Sequence, residues 1–149
     1  MYGNVAPGAR SAVAGLALAG LLGIPGLPGL THGRHQSHSI DWHSMGRTWE
    51  HDGTLRRGCH DYRYHYRVQP PSRRWSLETF LVGPGGKALA SDVALAGGDP
   101  RRGTKHWSQI CRSNTRPGRF TIRAKLSYDD SSGNGHHGWL SPSHFRLHG

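Results

Sequence analysis

The chain has few cysteines and few acidic residues, two of the residue classes from which catalytic and metal centres are built. Its 149 residues include two cysteines and nine acidic side chains, and Glu50 and Glu78 are the only glutamates. Neither cysteine stands in a C-x-x-C or C-x-x-H pair of the kind that zinc sites use. The sequence has no Gly-x-Ser-x-Gly nucleophile elbow and no indication of a paired-carboxylate glycosidase site. We therefore expect a non-enzymatic protein without catalytic residues or cofactors, with a small secreted hydrolase as a remote alternative.

Long hydrophobic runs are also missing. The one apolar stretch covers about 14 residues, 11–24, after Arg10, and two prolines and the small-residue exit Thr31-His32-Gly33 follow it. This order is typical of a cleaved signal peptide. An uncleaved anchor is less favoured, because a membrane span needs about 20 apolar residues. We predict a signal peptide over residues 1–33, cut after Gly33, and a secreted, extracellular chain with no transmembrane segment after cleavage.

The two cysteines fit an exported chain. Cys59 and Cys111 form an even pair, and an even count outside the cytoplasm indicates a disulfide. Closing a loop of about 50 residues contributes roughly 4 kcal/mol in the chain-entropy model. We predict one structural disulfide between Cys59 and Cys111.

Two regions follow the predicted leader. Residues 34–54 are polar and histidine-rich with no clear period, which predicts a flexible N-terminal segment. Residues 55–149 show apolar residues at period two between glycine- and proline-rich turns, and this predicts a β-sandwich or a small barrel. Residues 129–138 are polar and glycine-rich and predict a loop. The predicted strands cover residues 62–68, 75–82, 87–93, 104–112, 120–128 and 145–147.

The same region resembles a known family. A tyrosine-rich strand after a cysteine, a Trp-led strand ending in GPGG, the run RPGRFTIRAKLSYDD and a final FRL resemble immunoglobulin-like domains of bacterial secreted proteins of the actinobacterial type. The likeness covers residues 55–148 and implies an immunoglobulin-like antiparallel β-sandwich, with no function attached. Cys111 precedes the Phe120 strand instead of lying within it. The comparison with that family therefore implies that the disulfide joins neighbouring strands of one sheet.

Histidine is unusually frequent, with 12 residues. Imidazole is a common ligand for zinc, copper and nickel. Three histidines of the predicted flexible segment and two of the 129–138 loop are the candidate metal ligands: His35, His38, His43, His136 and His137. Their spacing matches no recognised zinc pattern, so we predict a solvated histidine-rich surface and no specific metal site.

The charge is strongly positive, with 19 Lys and Arg against 9 Asp and Glu and a formal net charge of +10. Such a charge attracts anionic partners such as envelope polymers. The arginines are scattered along the sequence, which favours compositional bias over specific nucleic-acid recognition. We expect a secreted or envelope-associated module that acts by surface binding or structural support, on anionic envelope polymers or another extracellular protein. The alternative is a metal- or polyanion-binding protein that uses its histidines and arginines.

Overall fold

The computed structural model describes residues 39–149, which form nine strands and a short 3₁₀ helix at Trp42–Met45. The predicted signal peptide and the first five residues of the predicted flexible segment lie outside the described residues. Strand formation confirms the all-β prediction for the described part of the chain. The strands are β1 (Gly46–Trp49), β2 (Gly53–Thr54), β3 (Cys59–Val68), β4 (Trp75–Val82), β5 (Ala88–Leu95), β6 (Arg102–Cys111), β7 (Gly118–Asp129), β8 (Gly135–Trp139) and β9 (Ser143–His148).

The strands form two sheets around a shared core. The smaller sheet has three strands in the order β1-β3-β6, and the larger sheet has the order β2-β9-β7-β4-β5 with β8 added to β7. All pairs are antiparallel except β2 with β9. The core takes side chains from the inner faces of both sheets. They include Tyr64, Tyr66, Trp107 and Ile110 from the smaller sheet and Leu77, Leu81, Phe120, Ile122, Leu126 and Phe145 from the larger one.

Strand β7 has the alternation that the sequence predicted. Phe120 and Ile122 are fully buried, while Arg119 and Arg123 are exposed. Successive side chains of a strand point to opposite faces, so one face of β7 packs in the core and the other meets solvent. Strand β4 begins and ends where predicted, and the turn after it closes through a 2.9 Å hydrogen bond from Gly86 N to the Gly83 carbonyl.

The prediction that residues 34–54 are flexible is wrong for the described part of that segment. Strand β1 pairs with β3 along its whole length, and Thr48 is buried, with its Oγ1 2.9 Å from Ser143 Oγ. Trp42 packs over Gly138 so closely that a Cβ there would collide with its ring. The folded region therefore begins before residue 55. Strands of four and two residues are too short to produce a visible period, and their order comes from tertiary pairing.

The disulfide lies where the sequence predicted. Cys59 and Cys111 are opposite each other on β3 and β6 and are covalently joined. Their Cα atoms are 3.9 Å apart, closer than the usual range of about 4.4–6.8 Å. Directly opposite residues of an antiparallel pair already lie within about 5.5 Å, so the bond joins neighbouring strands of one sheet.

A polar seam joins β5 to the smaller sheet. The buried Tyr64 hydroxyl donates to Asp92 Oδ2 at 3.0 Å and accepts from Thr79 Oγ1 at 2.8 Å. Burial raises the pKa of Tyr64, so its hydroxyl stays protonated and able to donate. Lys105 Nζ donates to the Val93 carbonyl at 2.8 Å and pairs with Asp99 at 3.3 Å.

We expect the seam to make stability sensitive to acid. A hydrogen bond from the Leu95 amide, and then the pairing with Lys105, lower the pKa of Asp99. A lowered folded-state pKa contributes stability above the unfolded pKa, which is lost as pH falls through the folded pKa. Asp99→Asn should cost about 1 kcal/mol at neutral pH, and the difference from the unmodified protein should vanish in acid. Urea unfolding at several pH values measures this, and a cost that stays constant with pH would contradict it.

Candidate functional site

The outer side of the smaller sheet collects arginines from three strands. The register places Arg47 opposite Arg67, and Arg67 opposite Arg102, so one row of arginines crosses the whole sheet. Arg63 lies on the same side of β3, opposite His106. All four arginines are exposed. We call this surface, made of Arg47, Arg63, Arg67 and Arg102, the arginine face.

The three arginines of the row have no acidic partner within the described chain. Within residues 39–149 no salt bridge and no side-chain hydrogen bond involves Arg47, Arg67 or Arg102. Like charges directly opposite each other on neighbouring strands destabilise a sheet. The row is therefore unfavourable for folding by itself, and an anion bound across it would relieve the repulsion.

An aromatic stack borders the row. Trp49 lies two residues after Arg47 on β1, opposite His65 on β3. Its ring stacks on the His65 ring at a centroid distance of 5.4 Å. The Arg47 guanidinium lies 5.3 Å from the same indole centroid. His65 is held in turn by Thr104, whose hydroxyl lies 2.8 Å from His65 Nδ1. These contacts fix the position of Arg47 and leave the indole ring already engaged.

Acidic residues lie beside the Arg63 end of the arginine face, where Glu50, Asp52 and Asp61 line the same surface depression as Arg63. Glu50 has a largely buried side chain, and its Oε2 lies 3.9 Å from His65 Nε2. That oxygen is buried with no hydrogen-bond partner in the described chain. A buried carboxylate oxygen without a hydrogen bond is costly.

The outer side of the larger sheet has a different character. Trp139 is 45% exposed, and the Arg123 guanidinium lies 4.5 Å above its ring, with Phe80 at 5.9 Å. Lys125 Nζ lies 4.0 Å from Glu78 Oε2 here, and Arg119 stands directly opposite Arg146 on β9. This side therefore combines an opposite-charge pair with a like-charge pair on two strands, whereas the arginine row crosses three strands.

The predicted metal candidates do not come together in the described structure. His43 Nδ1 lies 2.9 Å from Ser141 Oγ, and His136 lies 3.0 Å from Asp130 Oδ2 and stacks on Tyr128. His137 occupies an exposed position of β8. Residues 39–149 contain no group of three or more His, Cys, Asp and Glu side chains that would hold a metal ion. His35 and His38 lie outside the described residues.

His136 has a structural role in its turn. Its hydrogen bond to Asp130, together with those from the Asn134 and Ser132 amides, lowers the pKa of that carboxyl below its usual range. The bonds from Ser132 and Asn134 to Asp130 Oδ1 are both 2.9 Å long. The Asp130 carboxylate thus organises the β7–β8 turn, and in the described structure His136 serves as its partner.

The arginine face is the feature that the sequence interpretation missed. The arginines are scattered along the chain, but strand pairing brings Arg47, Arg67 and Arg102 into one row. Arg63 and Arg67 alternate with buried tyrosines, so the period of β3 already places them on one side of the sheet. Arg47 lies in the segment predicted to be flexible, and Arg102 lies before the predicted start of its strand. Their alignment depends on the pairing register of β1, β3 and β6, which the sequence around each arginine does not reveal.

No protein-family model matches the chain, and no curated protein matches it. Within residues 39–149 no helix has the length and apolar character needed to cross a bilayer.

Proposed function

We propose that this chain is an exported, non-enzymatic binding module with an immunoglobulin-like β-sandwich fold. The strand order supports the fold. In immunoglobulin-like domains strands A, B and E share one sheet, and G, F, C and C′ share the other. Here β1, β3 and β6 occupy the positions of A, B and E, and β9, β7, β4 and β5 those of G, F, C and C′. Trp75, buried at the start of β4, corresponds to the tryptophan that antibody domains bury on strand C.

The proposed fold departs from antibody domains in two places. The Cys59–Cys111 bond joins the B-like and E-like strands of one sheet, where antibody domains bridge strands B and F of opposite sheets. Strand β8 is an additional strand that follows the F-like strand and precedes the G-like strand in the chain, and it pairs with β7. Both departures leave the order of the main strands unchanged.

The arginine face carries the functional part of the proposal. Its row of exposed arginines crosses three strands without an acidic partner among residues 39–149, and this row is unfavourable for folding by itself. Proteins retain such locally unfavourable arrangements mainly at functional sites. The module therefore acts by binding through this surface outside the cytoplasm. The same observation favours the polyanion version of the alternative function, because clustered guanidinium groups attract anionic polymers.

Export is the first part to test. The apolar run at residues 11–24 and the exit Thr31-His32-Gly33 favour cleavage, and the disulfide favours an oxidising compartment. Expressed with its leader in a secreting bacterial host, the protein should appear in the medium or cell-wall fraction. N-terminal sequencing should then give a start between Thr31 and His35. Full-length protein retained in the cytoplasm or membrane would contradict export.

Binding at the envelope is tested by sedimentation. The oxidised protein should co-sediment with isolated bacterial cell walls at low salt and be released by added salt, because surface charges are screened. A variant with Arg47, Arg67 and Arg102 changed to glutamine should remain in the supernatant. Equal sedimentation of the variant and the parent protein would show that the arginine face is not the binding surface.

A further inference from the structure

We propose that the arginine face binds a linear phosphodiester polymer of the cell envelope, lying across β1, β3 and β6 along the row Arg47-Arg67-Arg102. This inference rests on the proposed binding function and adds the ligand class and the binding site. It requires one anionic chain to contact several guanidinium groups at once.

The spacing of the row fits a chain with closely placed charges. Neighbouring strands lie about 4.7–4.9 Å apart, so the Cα atoms of Arg47 and Arg102, separated by one strand, are about 10 Å apart across the sheet. Each guanidinium presents a planar fork that binds a phosphate through two parallel hydrogen bonds. Three such forks within this span match a polymer that carries one anion on every repeat.

Acidic glycans in which charged and neutral sugars alternate fit less well. Their carboxylates are spread along the chain, so only a part of the row is engaged by one chain at a time. A phosphodiester backbone places a full charge in every linkage and can neutralise neighbouring arginines together. This relieves the like-charge repulsion between the strands, which an isolated anion does only locally.

Single-stranded nucleic acid is also a phosphodiester, but its tight binding uses aromatic rings on which bases stack. Trp49 borders the row, and its ring is already stacked on His65 and contacted by Arg47. The described residues of the arginine face therefore present no free indole or phenyl ring for a base. The arginine face therefore binds the phosphates of a polymer backbone and provides no ring for base stacking.

The first measurement is the salt dependence of binding. The probe is synthetic poly(glycerol phosphate), titrated into the oxidised full-length mature protein by calorimetry or fluorescence anisotropy. Three phosphate contacts on a flexible chain predict a slope of log affinity against log salt of about −2. The affinity should therefore fall by about 20-fold between roughly 50 and 200 mM salt.

The second measurement compares two variants with the same change in net charge. In the face variant Arg47, Arg67 and Arg102 become glutamine. The affinity at about 50 mM salt should fall at least ~30-fold, and the dependence on salt should nearly vanish because the three phosphate contacts are lost. In the control variant three exposed arginines elsewhere, Arg73, Arg116 and Arg119, become glutamine, and the affinity should change less than about 3-fold. The face variant removes repulsion between strands, so its thermal stability should equal or exceed that of the parent protein.

Competing ligands separate the alternatives. Oligothymidylate and hyaluronate of matched charge should bind at least about 10-fold more weakly than poly(glycerol phosphate). Tighter binding of oligothymidylate would make nucleic acid the ligand, and equal binding of hyaluronate would refute the spacing argument. Equal losses in both variants would show that net charge, not the arginine face, determines binding. Protein that sediments with cell walls but does not bind poly(glycerol phosphate) would overturn this inference and leave the proposed envelope-binding function standing.

Discussion

Replacing Ile122 by aspartate is expected to unfold the protein. Ile122 is fully buried at the centre of β7, with Leu81 opposite it on β4. An aspartate there loses the burial of an isoleucine side chain and places a charge in the core without a partner. The combined cost, upwards of about 4 kcal/mol, is a large share of the 5–15 kcal/mol that holds a typical domain together. Circular dichroism should show loss of the folded β signal, and the protein should fail to accumulate in the medium.

The matched control is Arg119→Asp on the same strand. Arg119 is exposed and lies opposite Arg146 on β9. The substitution replaces a like-charge pair by an opposite-charge pair, so stability should change by less than about 0.5 kcal/mol or improve slightly. Equal losses at positions 119 and 122 would show that the two sides of β7 have been assigned wrongly.

Removing the disulfide is expected to cost several kcal/mol. The bond closes a sequence separation of 52 residues, for which the chain-entropy model gives about 4 kcal/mol. Cys59 is exposed and Cys111 is half-buried, so serine at either position leaves little or no cavity. The loss in Cys111→Ser therefore reports mainly the cross-link. Urea unfolding of the oxidised parent protein and of the variant measures it.

Two comparisons make this test specific. Cys59→Ser and the double variant should lose the same free energy as Cys111→Ser, because all three lack the same bond. Reduction of the parent protein should lower its stability to that of the variants. Variants that keep full stability would show that the bond contributes nothing, and a free-thiol assay positive for the secreted protein would contradict the oxidised state.

Strand positions could be predicted where the burial pattern is long and local. The eight residues of β4 and the twelve of β7 each alternate between more and less buried positions, and this alternation can be recognised from the order of residues in the sequence. The disulfide followed from the cysteine count, and its position within one sheet followed from the resemblance to immunoglobulin-like domains. Residues 129–138 were expected to be a loop, yet β8 begins at Gly135 because β7 offers it a pairing edge.

Features that depend on pairing between distant strands could not be predicted. Strand β1 has only four residues, and its order comes from β3 and from the Trp42 ring packed over Gly138. The arginine row joins positions 47, 67 and 102, whose alignment exists only after β1, β3 and β6 have paired. Because register fixes which side chains are neighbours across a sheet, a one-residue slip would have dispersed the row.

The binding surface is tested most directly by nuclear magnetic resonance mapping. The ¹⁵N-labelled, oxidised protein is titrated with poly(glycerol phosphate) at low salt, and the shifts of backbone amides and arginine Nε–H groups are followed. Changes should concentrate on β1, β3 and β6 around Arg47, Arg67 and Arg102, and β4 and β7 around Phe80 and Arg123 should change little. Changes centred on the outer side of the larger sheet, or spread evenly over all exposed arginines, would contradict binding at the arginine face.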